Sequence, residues 1–134
     1  MNIERNETRE IHSSEDIVLV RHTVREWAIS IGLNLVDQTK IVTAASELAR
    51  NIIDYGGGGR VVMQILSDGI KKGIRLAFED KGPGIPDIEQ ALKDGFTTGK
   101  GMGLGLGGSK RLVNEFEIKS SPGQGTTVTI TRWK

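Results

Sequence analysis

Arg60-Val61-Val62-Met63-Gln64-Ile65-Leu66-Ser67-Asp68-Gly69 and, after Ile70 and two lysines, Gly73-Ile74-Arg75-Leu76-Ala77-Phe78-Glu79-Asp80 form the stretch that decides the fold. Arg60 to Ser67 is rich in β-branched and apolar residues and reads as a strand. In Gly73 to Asp80, Ile74, Leu76 and Phe78 alternate with Arg75 and Glu79, the period-two pattern of a half-buried strand. Asp68-Gly69 and the lysines between them supply a turn. Two consecutive strands joined so tightly pair antiparallel, and their apolar face needs a cover.

Upstream of the hairpin lie two helical patterns. Ser13-Ser14-Glu15-Asp16 offers a capping hydroxyl and acids for a first turn. Ile17, Val20, Val24, Trp27, Ala28 and Ile31 then recur at helical spacing, and Gly32 stops the run. A second helix is expected from Val36 to Tyr55, burying Ile41, Ala44, Ala45, Leu48, Ile52 and Ile53, and ending at the Gly56 to Gly59 run. Before both helices, Arg5 to His12 reads as a short polar strand. Downstream, short helices are expected over Ile88 to Asp94 and Leu104 to Glu115. A closing hairpin of Glu117 to Ser120 and Thr126 to Trp133 turns at Pro122-Gly123-Gln124-Gly125, with Val128 and Ile130 facing one way and Thr127, Thr129 and Thr131 the other. This order gives an α+β fold: a two-layer sandwich whose mainly antiparallel, mixed sheet is covered on one face by helices.

The 134 residues suit a single domain spanning 1–134. With 37% hydrophobic and 26% charged residues the chain can build a core and stay soluble. Having no cysteine, it holds no disulfide, thiolate metal site or cysteine nucleophile. Eighteen basic against 17 acidic residues make no field for nucleic acid or an anionic membrane. The segment Met1 to Glu7 lacks the apolar core of a signal peptide, and no apolar run is of membrane-spanning length, so a cytoplasmic location is expected. Glycine is the anomaly: 18 residues, about twice average usage, gathered in clusters between the periodic segments.

Three stretches carry chemistry. On the second helix, Glu47-Leu48-Ala49-Arg50-Asn51 sets Glu47 and Asn51 one turn apart on one face, about 6 Å along the axis. An amide oxygen can ligate Mg²⁺, and a carboxylate one turn away can deprotonate a hydroxyl; a solvated helix face accounts for the same residues. Asp80-Lys81-Gly82-Pro83-Gly84 ends an apolar strand. A carboxylate there can accept a hydrogen from an exocyclic amine, with Gly82 and Gly84 letting backbone approach a flat ring; an ordinary turn is the alternative. Gly101-Met102-Gly103-Leu104-Gly105-Leu106-Gly107-Gly108 opens a helix, where unpaired N–H groups favour phosphate and Leu104 and Leu106 act as apolar anchors. It is neither a Walker loop nor a dinucleotide fingerprint. Gly123-Gln124-Gly125-Thr126 reads by itself as a hairpin turn. The two histidines, His12 and His22, show no metal or triad pattern, and Trp27 belongs to a core stripe.

Taken in order, Glu-x-x-x-Asn on a helix, Asp-x-Gly-x-Gly after a strand, Gly-x-Gly-Leu-Gly-Leu before a helix and Gly-x-Gly-Thr in the last hairpin resemble the four nucleotide-binding boxes of the GHKL ATPases and kinases. The resemblance runs from about residue 10 onward. Glu-Leu-Ala-Arg-Asn, Glu-Asp-Lys-Gly-Pro-Gly-Ile-Pro-Asp, Asp-Gly-Phe-Thr-Thr and the ending Thr-Arg-Trp look most like the small serine/threonine kinases of bacterial partner-switching modules, in particular the stressosome branch. The resemblance implies the Bergerat ATP-binding fold, with ATP and Mg²⁺ as cofactors. Glu47 would be the catalytic base and Asn51 the Mg²⁺ ligand. Asp80 would hold the adenine amino group beside Gly82 and Gly84. Gly101, Gly103, Leu104, Gly105, Leu106 and Gly107 would border the triphosphate, and Thr126 would sit on the adenine side. Ile85 to Lys100 would form the ATP lid, with Lys100 either reaching the γ-phosphate or only solubilising the lid. Implied partners are a STAS-domain protein, phosphorylated on serine or threonine, and a PP2C-type phosphatase, or alternatively a sigma factor.

Overall fold

The computed structural model describes residues 1–84, 92 and 106–134. The order is β1 (Asn2–Ile11), α1 (Ser14–Ser30), α2 (Leu35–Asp54), β2 (Gly59–Ser67), β3 (Lys72–Asp80), α3 (Leu106–Arg111), β4 (Glu115–Ser120) and β5 (Thr126–Trp133). The strands form one sheet in the order β1-β2-β3-β5-β4. All four of its pairings are antiparallel, so among the described strands the sheet is not mixed.

Local chemistry starts and stops these elements. Ser13 Oγ accepts from the Asp16 N–H while Asp16 Oδ2 accepts from the Ser13 and His12 N–H groups, a capping box that fixes the start of α1. These N–H groups hold the Asp16 carboxyl below its ordinary range, His12 contributing most. Asn34 Oδ1 caps α2 by accepting from Asp37 N–H at 2.8 Å. The hairpin turn between β2 and β3 is closed by Asp68, whose Oδ1 accepts from Ile70 and Lys71 N–H groups at 2.9 and 2.6 Å.

The core lies between the helices and one sheet face. Val61, Met63 and Ile65 of β2, Ile74, Leu76 and Phe78 of β3 and Val128 and Ile130 of β5 are buried with the α1 stripe Ile17, Val20, Val24, Trp27 and Ala28 and the α2 stripe Ile41, Ala44, Ala45, Leu48 and Ile52. Trp27 is enclosed, with the Arg5 guanidinium of β1 lying 4.6 Å from its ring centroid. Among the described residues no helix is long and apolar enough to cross a membrane.

Two boundaries differ from the sequence expectation. The first strand extends from Asn2 to Ile11 rather than starting at Arg5, because Asn2 and Ile3 also pair, with Ser67 and Leu66, beyond a register shift at Glu4. The helix expected over Leu104 to Glu115 is described as α3 from Leu106 and ends at Arg111. Asn114 donates its N–H to Thr131 O at 2.9 Å, and Glu115 already pairs with Thr131, so the β5 ladder takes residues that helix periodicity would have kept. The helix expected over Ile88 to Asp94 lies outside the described residues, Leu92 apart.

Candidate active site

The antiparallel register brings Gly59, Asp80, Thr126 and Ser120 side by side across β2, β3, β5 and β4. Asp80 is the last residue of β3, so its carboxylate stands where the chain leaves the sheet. Its Oδ1 accepts from the Gly82 N–H at 2.9 Å, and the Thr126 backbone N–H also donates to it. Burial nevertheless wins over these two bonds and pushes the Asp80 carboxyl above its ordinary value.

Bare backbone surrounds this carboxylate. α2 ends at Asp54, and the Tyr55 and Gly56 N–H groups both donate back to Asn51 O, at 2.9 and 3.3 Å. The turn delivers Gly56 against Asp80 so closely that a Cβ on Gly56 would lie 2.5 Å from the Asp80 Cγ. Gly82 comes from the other side, close to the Gly56 Cα and the Tyr55 carbonyl. Gly84 has φ of +80°, and a Cβ there would fall 2.1 Å from Ser121 O in the β4–β5 hairpin. The same hairpin is tied down by Gly123 N–H donating to Pro83 O at 2.7 Å. Thr126 Oγ1 lies 2.8 Å from Ser120 Oγ, which also donates to Gly125 O at 3.0 Å. Asp80, Gly82 and Gly84 of one motif and Thr126 of another therefore meet at one end of the sheet.

Glu47 and Asn51 stand one turn apart on α2, Glu47 exposed and Asn51 half-buried. Arg50, between them, donates to Ser14 Oγ at 3.4 Å and links this part of α2 to the start of α1. Asn51 belongs to the turn whose continuation is Gly56, so one helix end serves both the amide and the Asp80 wall. Leu106 and Gly107 are buried in α3, which packs on α2. Gly101, Gly103, Leu104 and Gly105, and the lid expected over Ile85 to Lys100 except Leu92, lie outside the described residues. His22 is exposed on α1, as its sequence pattern implies.

The residues present fit a purine triphosphate. The Asp80 carboxylate is an acceptor for an exocyclic amine, and Gly56 and Gly82 bring bare backbone so close to it that no side chain can stand between them and the carboxyl. Asn51 supplies a single hard oxygen donor, suited to a cation that takes its other ligands from phosphate and water. Gly56 was not singled out by motif reading. The signal was available in the Gly56 to Gly59 run, which reads first as a helix stop.

This geometry defines the class. The histidine kinase-, DNA gyrase B- and HSP90-like ATPase profile matches residues 36–134, and the chain belongs to that family. It is an ATP-using enzyme domain of the serine/threonine-protein kinase type, of the kind found in partner switches. The chain is 47% identical over 118 residues to the serine/threonine-protein kinase RsbT of Bacillus subtilis (strain 168), covering 88% of this chain and 89% of that one. It is also 32% identical over 127 residues to the anti-sigma F factor of Bacillus licheniformis, covering 89% and 85%. Among solved structures, the RsbU and RsbW domains of a Mycobacterium tuberculosis protein superpose with a TM-score of 0.67 at 24% identity, over 97% of this chain and 33% of that one. The SiaB–SiaC complex of Pseudomonas aeruginosa gives a TM-score of 0.57 at 13% identity, over 98% and 91%. These two structures speak for the fold.

Proposed function

We propose that the chain transfers the γ-phosphoryl group of ATP to a serine or threonine hydroxyl on a STAS-domain partner, and that once released from that partner it binds and activates a PP2C-type phosphatase. The observation that carries this reading is the Asp80 wall: a half-buried carboxylate between Gly82 and Thr126, facing backbone with no side chain at Gly56. In it, Asp80 accepts from the adenine amino group and Thr126 lines the same side. Gly101, Gly103, Leu104, Gly105, Leu106 and Gly107 border the triphosphate. Asn51 holds Mg²⁺, which neutralises phosphate charge. The Glu47 carboxylate takes the proton of the attacking hydroxyl as the new O–P bond forms and the bond to the leaving ADP oxygen breaks. Phosphoryl transfer asks a protein mainly for position and charge, and these groups supply both. Such a reaction belongs in the cytoplasm.

Incubation with γ-labelled ATP and a STAS-domain protein tests the reading. Label appears on a serine or threonine of the partner and disappears in Glu47→Ala, which still binds ATP. Transfer that survives Glu47→Ala removes the base. The 32% identity to an anti-sigma F factor supports a second reading, in which the partner held is a sigma factor. Under that reading the chain retains a sigma factor in the presence of ATP.

A further inference from the structure

Arg132 is one residue from the end of β5, and its two terminal guanidinium nitrogens bond to residues outside that strand. Nη2 donates to Asp37 Oδ1 at 2.6 Å, and Nη1 donates to Leu112 O at 3.1 Å. Asp37 sits in the first turn of α2, directly above the Asn34 cap. Leu112 is the residue that follows α3. The Arg132 side chain is 14% exposed and Asp37 is 26% exposed, so this fork is shielded from solvent far more than the surface pairs Arg60–Glu79 or Lys119–Glu117. The neighbouring residues reinforce it: Asn114 N–H donates to Thr131 O, and Trp133 N–H donates to Asn114 Oδ1 at 2.7 Å. The other end of α3 is fixed differently, by Leu106 in the core.

Arg132 lies six residues along β5 from Thr126, about 20 Å at the rise of an extended strand, and so far from the Asp80 wall. We propose that Arg132 is a positioning residue for the triphosphate side of the nucleotide site: its fork ties the first turn of α2 to the end of α3 and so sets where Leu106 and Gly107 stand against the helix that carries Asn51. This rests on the nucleotide reading above and adds a residue that touches no nucleotide. The guanidinium offers two nitrogens in a rigid plane, one to each acceptor; a lysine ammonium keeps the charge beside Asp37 but has a single nitrogen on a flexible stem and cannot reproduce that spacing.

The test needs no phosphoacceptor. ATP with Mg²⁺, and separately adenosine, are titrated into the full chain, wild type and Arg132→Lys, well below the melting temperature of each. Adenosine reports the Asp80 wall alone, whereas ATP also reports the α3 side. Arg132→Lys weakens ATP five- to tenfold and leaves adenosine within twofold of wild type. Asp37→Asn gives a loss of the same kind, and the double variant is no worse than the more impaired single one. ATP bound as tightly by Arg132→Lys as by wild type overturns the proposal, as does loss of ATP and adenosine by one common factor. An additive double variant overturns it too. A wild type that binds neither ligand sinks the nucleotide reading itself, a different result from any of these.

Discussion

The two halves of the candidate site are built in opposite ways. Asp80 is enclosed by backbone from three places, the exit of α2, the loop after β3 and the β4–β5 hairpin, with distances that leave no room for a methyl group at Gly56 or Gly84. Glu47 stands exposed on a regular helix, one turn before Asn51. A group that recognises a flat ring must be rigid and partly dry; a group that meets a hydroxyl on another protein must be reachable. On the proposed function the contrast separates recognition from chemistry, and substitutions should keep them apart.

The largest effect is expected from Glu47→Gln. Loss of a general base lowers phosphoryl transfer about 10²–10⁴-fold, while ATP affinity and melting temperature stay at wild type; single-turnover transfer and a calorimetric ATP titration measure the two. Gly56→Val attacks the enclosed half. Forcing a branched side chain into the Asp80 carboxyl costs about 1–3 kcal/mol of stability through overpacking and weakens ATP at least as much, which denaturant melts and the same titration detect. An unaltered affinity would show that the wall is not where adenine lies.

Asp80→Asn sharpens the comparison through pH. Because burial raises the carboxyl, the folded chain holds that proton more tightly than the unfolded one. Its stabilising contribution is complete below the unfolded value and is lost as pH rises through the raised folded value. ATP affinity runs the other way, since the adenine amine needs the ionised acceptor: it falls on acidification, beginning above the ordinary aspartate range. Asp80→Asn lowers affinity by about 1–3 kcal/mol at neutral pH and abolishes this pH step, as titrations at a series of pH values reveal. Thr126→Val has the smallest effect. It removes the hydroxyl contact with Ser120 while keeping the backbone N–H that Asp80 uses, so ATP affinity drops by about 1 kcal/mol or less.

What could be read in advance follows the range of the forces. The start of α1 was legible because Ser13 and Asp16 complete their capping box within four residues. The core stripes were legible because periodicity is local. Sequence makes β1 too short because its residues are mostly exposed and polar, and only pairing with the distant Gly59–Ser67 strand marks its extent. Sequence makes α3 too long for the mirror reason: Leu112 and Val113 keep a helical pattern, but the bonds from Asn114 to Thr131, from Arg132 to Leu112 and from Trp133 to Asn114 lie outside any local window. In the site, Asp80, Gly82 and Gly84 announced themselves as a motif, Glu47 and Asn51 gained meaning from the company of the other boxes, and Gly56 acquired its purpose only when its neighbour across the fold was known.

The strand order has a consequence for how the enzyme comes into being. β5 is the last of the described strands to be made yet sits inside the sheet, between β3 and β4. Until residues 126–133 dock, β3 presents a bare ladder on one side and Asp80 lacks the Thr126 amide. A chain that has not yet made β5 can assemble its helices and first hairpin but, on the proposed reading, not the place for a purine, so it stays inert toward ATP until β5 has docked.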